Sequence, residues 1–112
     1  MDAMHPYYPP KEECPLHNLF PGVDARTCWL DKVMLSYVEL QPHSIVTEHH
    51  HPHEQMGFIL QGKALFIING QERILEPGDW YRVPGNVRHK VVALDELVKV
   101  LDVFSPPREE YK

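Results

Sequence analysis

Lys63-Ala-Leu-Phe-Ile-Ile-Asn69-Gly70-Gln71-Glu-Arg-Ile-Leu75 is the stretch whose reading decides the fold of this chain. Two β-prone runs, Lys63 to Ile68 and Gln71 to Leu75, flank Asn69-Gly70. A type I′ turn needs positive φ at both central positions, and Asn-Gly meets that need at least cost, so the stretch predicts an antiparallel hairpin. Working outward, Met56 to Leu60 reads as a strand stopped at Gln61-Gly62, and Pro77-Gly78 turns the chain into Trp80-Tyr81-Arg82-Val83. Pro84-Gly85-Asn86 turns it again. Lys90 to Leu94 and Val98 to Phe104 are two more strands, separated by Asp95-Glu96, and Ser105-Pro106-Pro107 ends regular structure. Upstream, Val33 to Leu40 is rich in β-branched and aromatic residues and stops at Gln41-Pro42, and Ile45-Val46-Thr47 begins another strand. No stretch after residue 30 has a helical period. Short strands with a turn between each predict an all-β protein, a small sandwich or barrel.

The first 30 residues have a different texture. Pro6, Pro9, Pro10, Pro15 and Pro21 forbid a regular helix and favour an extended arm, with Tyr7, Tyr8, Leu16, Leu19 and Phe20 as apolar surface to bury. The chain is thus read as a proline-rich arm over 1–30 and a barrel over 31–112. The full sequence has 112 residues, 43% of them hydrophobic, enough for one globular domain. Its formal charge is −5 with both signs interspersed, and without a basic stripe nucleic-acid binding is not expected. No positively charged start runs into an apolar stretch and no apolar run approaches a membrane span, which predicts a cytoplasmic protein with Cys14 and Cys28 as free thiols.

Just upstream of the predicted hairpin lies Glu48-His49-His50-His51-Pro52-His53-Glu54-Gln55, with four histidines in five residues. Residues two apart on a strand share a face, so His49 and His51 can grip one ion, and Gln55 has the same parity and an amide oxygen to offer. His50 then faces the other way. His53 follows a proline that bends the chain and is a candidate for the barrel mouth, whereas His43 sits in a turn. A further ligand must come from elsewhere, and His89 is the candidate. The bland alternative is a polar, solvent-exposed loop.

Taken together, His49-x-His51-x-x-x-Gln55 with Gly62 beyond it, and Gly78-Asp79 with Pro84 and His89 beyond that, resemble the two signature motifs of the cupin superfamily. The resemblance covers roughly residues 33 to 104. It implies a single jelly-roll barrel of the RmlC type whose motifs place three His and one Glu on a metal. This chain departs at the glutamate, which is Gln55. A neutral amide leaves a divalent ion its full formal charge, which strengthens polarisation of a bound oxygen and disfavours the trivalent state.

The run Asp102-Val-Phe104-Ser-Pro-Pro-Arg108-Glu-Glu-Tyr111, taken with the two His motifs, is similar to one group of cupins. These are the single-domain pectin-degradation cupins, which linearise unsaturated monouronates. The resemblance implies one divalent transition metal per chain (Ni, Mn, Fe, Zn or Cu) on His49, His51, Gln55 and His89. It implies proton transfer by Asp102, a pocket shaped by Phe104 and substrate contact by Arg108. Two other readings use the same residues: a dioxygenase of the quercetinase or thiol-dioxygenase kind, and a non-catalytic metal- or sugar-binding module. Tyr37, Phe66, Trp80 and the arm are expected to cover apolar strand faces in a homodimer that exchanges its arms.

Overall fold

The computed structural model describes residues 4–112; Met1, Asp2 and Ala3, the start of the expected arm, lie outside the described residues. The protein is all-β, as the sequence predicts. The described residues form ten strands, β1 (Leu16–Phe20), β2 (Val23–Trp29), β3 (Met34–Leu40), β4 (Ile45–His49), β5 (Glu54–Gln61), β6 (Ala64–Ile68), β7 (Gln71–Leu75), β8 (Trp80–Val83), β9 (His89–Ala93) and β10 (Val98–Ser105). They form two antiparallel sheets packed face to face, one in the order β1-β2-β3-β10-β5-β8 and the other β4-β9-β6-β7. Asn69 and Gly70 take φ of 51° and 76°, so the central hairpin closes with the expected turn chemistry and Ala64 pairs with Leu75.

Alternation along the strands decides what lies between the sheets. On β2, Val23, Ala25 and Thr27 are buried, and on β3 Met34, Ser36, Val38 and Leu40 are buried while Leu35 and Tyr37 face out. β10 contributes Val98, Val100, Asp102 and Phe104 to the interior. Burying branched and aromatic side chains removes apolar surface worth about 1.5–3 kcal/mol each from water, and that drive holds the sheets together.

Two expectations need correction. Residues 16–29 are not an arm. They form the β1–β2 hairpin, and β2 pairs along its whole length with β3, from Val23 opposite Leu40 to Trp29 opposite Met34. Pro15 and Pro21 lie just outside the ends of β1, where a missing N–H costs no ladder bond. In the segment before them Met4 lies beside Cys28, with the two sulfurs 3.5 Å apart, while Tyr7 and Tyr8 are exposed. Phe66, expected on an interface, is instead inside, its ring 4.6 Å from that of Tyr81. Cys14 and Cys28 are free thiols. Among the described residues, no helix is long and apolar enough to cross a membrane.

Candidate functional site

His49 ends β4 and His89 opens β9, and the two are directly opposed in the register of the smaller sheet. His51 lies in the connection to β5, because Pro52 follows and β5 begins only at Glu54. The three rings nonetheless converge: their centroids are 4.3 Å (His49–His89), 5.0 Å (His51–His89) and 5.5 Å (His49–His51) apart. One ligand nitrogen from each falls within 4.8 Å of the other two. The sequence argument of a shared strand parity is corrected here. The chain reaches the same point by ending one strand, bending at Pro52, and bringing Gln55 in from the opposite sheet.

Each ring is held by a backbone carbonyl: Nδ1 of His49 by Thr47, of His51 by His53 and of His89 by Val87, at 2.9, 3.1 and 2.9 Å. A carbonyl only accepts, so each Nδ1 carries the proton and each Nε2 is left as a lone pair. Burial lowers the pKa of all three, that of His89 to about 4, so the rings are neutral near pH 7. Nε2 of His89 is buried with no hydrogen-bond partner. Nε2 of His51 lies 3.1 Å from Oε1 of Gln55, a lone pair facing an amide oxygen. Lone pairs that converge without a proton among them fit a divalent transition ion, and the carbonyl contacts are the outer-shell bonds that fix metal-binding imidazoles.

Gln55 is buried on β5, and its Nε2 donates to the Tyr81 hydroxyl at 3.2 Å. That hydroxyl donates in turn to Asp102, which lies mid-strand on β10 between Ser36 of β3 and Gly57 of β5. Burial pushes the Asp102 carboxyl up to about 7, with the neighbouring Gln55 amide pulling the other way. A Cβ on Gly57 would overlap the Tyr81 ring and the Asp102 carboxylate, so only glycine leaves room for this pair.

One cavity joins the two walls. Its lining includes His49, His89, Gln55, Asp102, Phe104 and Arg108, and its inner part holds about 50 Å³, room for an ion and one or two small oxygen ligands. Phe104 packs edge-on to His51, with centroids 5.7 Å apart. The Arg108 guanidinium lies 4.3 Å over the Tyr111 ring and 5.5 Å from Phe104, with Nε 3.1 Å from Glu110. Thr27 ties the tail down by donating to the Tyr111 carbonyl.

All seven candidate residues therefore meet at one site, six in the cavity lining and His51 against two of them, Gln55 and Phe104. His50 is exposed, as its parity predicted, and His43 is exposed beside Asp95. His53 does not line the cavity; its backbone carbonyl, not its ring, serves the site. Sequence reasoning missed Tyr81, Tyr111 and Phe20, all of which line the cavity. Tyr81 had a signal, since it shares the inward parity of Val83 on β8.

A family profile described as a cupin domain matches residues 36–104. The pectin degradation protein KdgF of Dickeya dadantii (strain 3937) is 33% identical over 102 residues, 89% of this chain and 93% of that one. The structure of KdgF from Halomonas sp. superposes with a TM-score of 0.83 at 26% identity, covering 100% of both chains. An RmlC-like cupin from Shewanella frigidimarina NCIMB 400 gives a TM-score of 0.87 at 21% identity, over 96% of this chain and 97% of that one. The profile spans more than half of the chain and KdgF nearly all of it, so this protein belongs to the cupin family.

Proposed function

We propose that this cupin is a metal-dependent enzyme that opens and tautomerises the ring of a small unsaturated uronate. The observation that carries the reading is a cluster of three neutral imidazoles, two of them lining a cavity whose wall also holds a buried carboxyl poised near neutrality. A pectin degradation protein among its relatives supports the substrate class.

His49, His51, His89 and Oε1 of Gln55 hold one divalent transition ion per chain. When bound, that ion supplies Lewis-acid polarisation of a substrate oxygen, undiminished by ligand charge because Gln55 is neutral. In ring opening, the anomeric hydroxyl loses a proton as the bond from carbon 1 to the ring oxygen breaks, leaving an aldehyde and an enolate on the former ring oxygen. Carbon 4 then takes up a proton as the enolate becomes a ketone. One proton leaves and one arrives, so a single group near neutrality serves both steps, and Asp102 is that group. Arg108 holds the substrate carboxylate at the mouth through a charge-assisted pair, the stronger kind of hydrogen bond. Phe104 and Tyr111 wall the ring, since the inner cavity is too small for a sugar acid. The outward Leu35, Tyr37, Met56 and Trp80 lie exposed on strands β3, β5 and β8 of one sheet and form the face at which two copies pair in the cytoplasm. Light scattering that returns a concentration-independent monomer mass removes that last part.

The deciding measurement is metal content together with loss of the absorbance of 4,5-unsaturated galacturonate, in the wild type and in His51→Ala. One ion per chain and turnover, both lost in the variant, is the expected result. Metal without turnover, accompanied by oxygen uptake, turns the reading to a dioxygenase. A metal-free wild type overturns the site.

A further inference from the structure

We infer that Tyr81 is a positioning residue that makes Gln55 present oxygen, not nitrogen, to the metal. The inference rests on the metal-site reading above but not on the substrate. An amide side chain is two-faced: turned by half a rotation it would offer its NH₂ to the three imidazoles, and an amide NH₂ has no lone pair to give a metal. Among ligands of this kind a carboxylate has no such problem, because both of its ends are oxygens. A chain with Gln at this position therefore needs something to set the rotamer.

The hydrogen bonds supply it. The Tyr81 hydroxyl has one proton, and that proton goes to Asp102. Its oxygen is then only an acceptor, and the group it accepts from is Nε2 of Gln55, at 3.2 Å. With Nε2 engaged, Oε1 is directed at the imidazoles and stands 3.1 Å from Nε2 of His51. The phenol is held in place by Phe66 packed on its ring and by the bare Cα of Gly57, where a Cβ would overlap both the ring and the Asp102 carboxyl. The link also joins the metal side of the cavity to the carboxyl side through one hydroxyl.

The test is a double-mutant cycle read by Zn²⁺ affinity, measured by competition with a chromogenic chelator and without substrate. Tyr81→Phe keeps the ring and its packing and removes only the hydroxyl. In the wild-type background it is expected to weaken Zn²⁺ about tenfold, the low end of losses for outer-shell partners. In a Gln55→Glu background the same change is expected to alter affinity less than about twofold, because a carboxylate has no wrong face. Equal losses in both backgrounds would assign Tyr81 a merely structural role and overturn the inference, as would an unchanged affinity with Gln55 in place. If Tyr81→Phe does not fold, Asp102→Ala asks the same question. It frees the phenol proton to turn the amide round, and the loss is again expected with Gln55 and absent in the Gln55→Glu background. A wild type that binds no Zn²⁺ removes the metal site and this inference together. Zn²⁺ binding that follows the cycle without uronate turnover leaves the inference standing and removes only the substrate.

Discussion

On the imidazole wall of the cavity, each ring is fixed by a carbonyl two residues away in sequence, Thr47 for His49, His53 for His51 and Val87 for His89. On the carboxyl wall, the tethers of Asp102, Gln55 and Tyr111 are long. Tyr81 reaches Asp102 across 21 residues and Gln55 reaches Tyr81 across 26, while the Tyr111 backbone is held by Thr27 from 84 residues away. The first wall is a property of short segments that need only be brought together; the second exists only where several strands pack side by side. Their electrostatics differ in the same way. Burial strips protons from the imidazoles and leaves one on the carboxyl, because in both cases the charged form is the one that loses its water.

Asp102→Asn separates the walls most sharply. Turnover of the uronate is expected to fall about 10²–10⁴-fold, the range of general acid–base assistance, while one metal ion per chain is retained. Loss of metal along with activity would assign Asp102 to holding the site together and not to proton transfer.

The next effect is one of stability against pH, in metal-free protein. The native state keeps a proton on Asp102 up to about pH 7, whereas the unfolded chain, with the ordinary value of 3.8, gives it up earlier. The native state binds more protons in that window, so this group's contribution falls as pH rises from about 4 to 7 and is level above. The imidazoles act in the opposite sense. His89 is lowered from 6.5 to about 4, so the unfolded chain takes up its proton first and stability falls as pH drops through that window. Urea unfolding of the wild type and Asp102→Asn at several pH values cancels the shared imidazole contribution. The wild type is expected to lose ground to the variant on raising pH from 4 to 7, by on the order of 4 kcal/mol. A difference that does not change with pH would mean that Asp102 is not buried as an acid.

The smallest effect belongs to the mouth. Arg108→Gln is expected to raise KM about 10–100-fold, the value of one hydrogen bond to a charged group, with kcat reduced much less. A loss confined to kcat would put Arg108 in the chemistry and not in carboxylate binding.

Much of this was legible in the chain itself. Asn69-Gly70 between two β-prone runs announced the central hairpin, and period-two alternation with turn residues between gave the strands from β3 onward. The β1–β2 hairpin was hidden because proline density was read as if spread evenly. The prolines in fact flank β1, and Pro21-Gly22 is the same kind of turn as Pro77-Gly78. The buried alternation Val23, Ala25, Thr27 was the overlooked sign of a strand. At the site, motif spacing singles out His49, His51, Gln55 and His89 as candidates, and Asp102 stands out as an acid in an apolar strand, but shared parity is not the reason Gln55 joins them, since it reaches the centre from the other sheet.

Local chemistry is what the sequence by itself determined: where turns form, which faces are apolar, and which residues can donate lone pairs, because each depends on side chains a few positions apart. The packing of β10 between β3 and β5 decided the rest. It buries Asp102 against Gly57 and Tyr81, raises its pKa and links it to Gln55. Desolvation and hydrogen-bond direction are set by neighbours that are remote in the chain, and only the folded sheets bring them within reach.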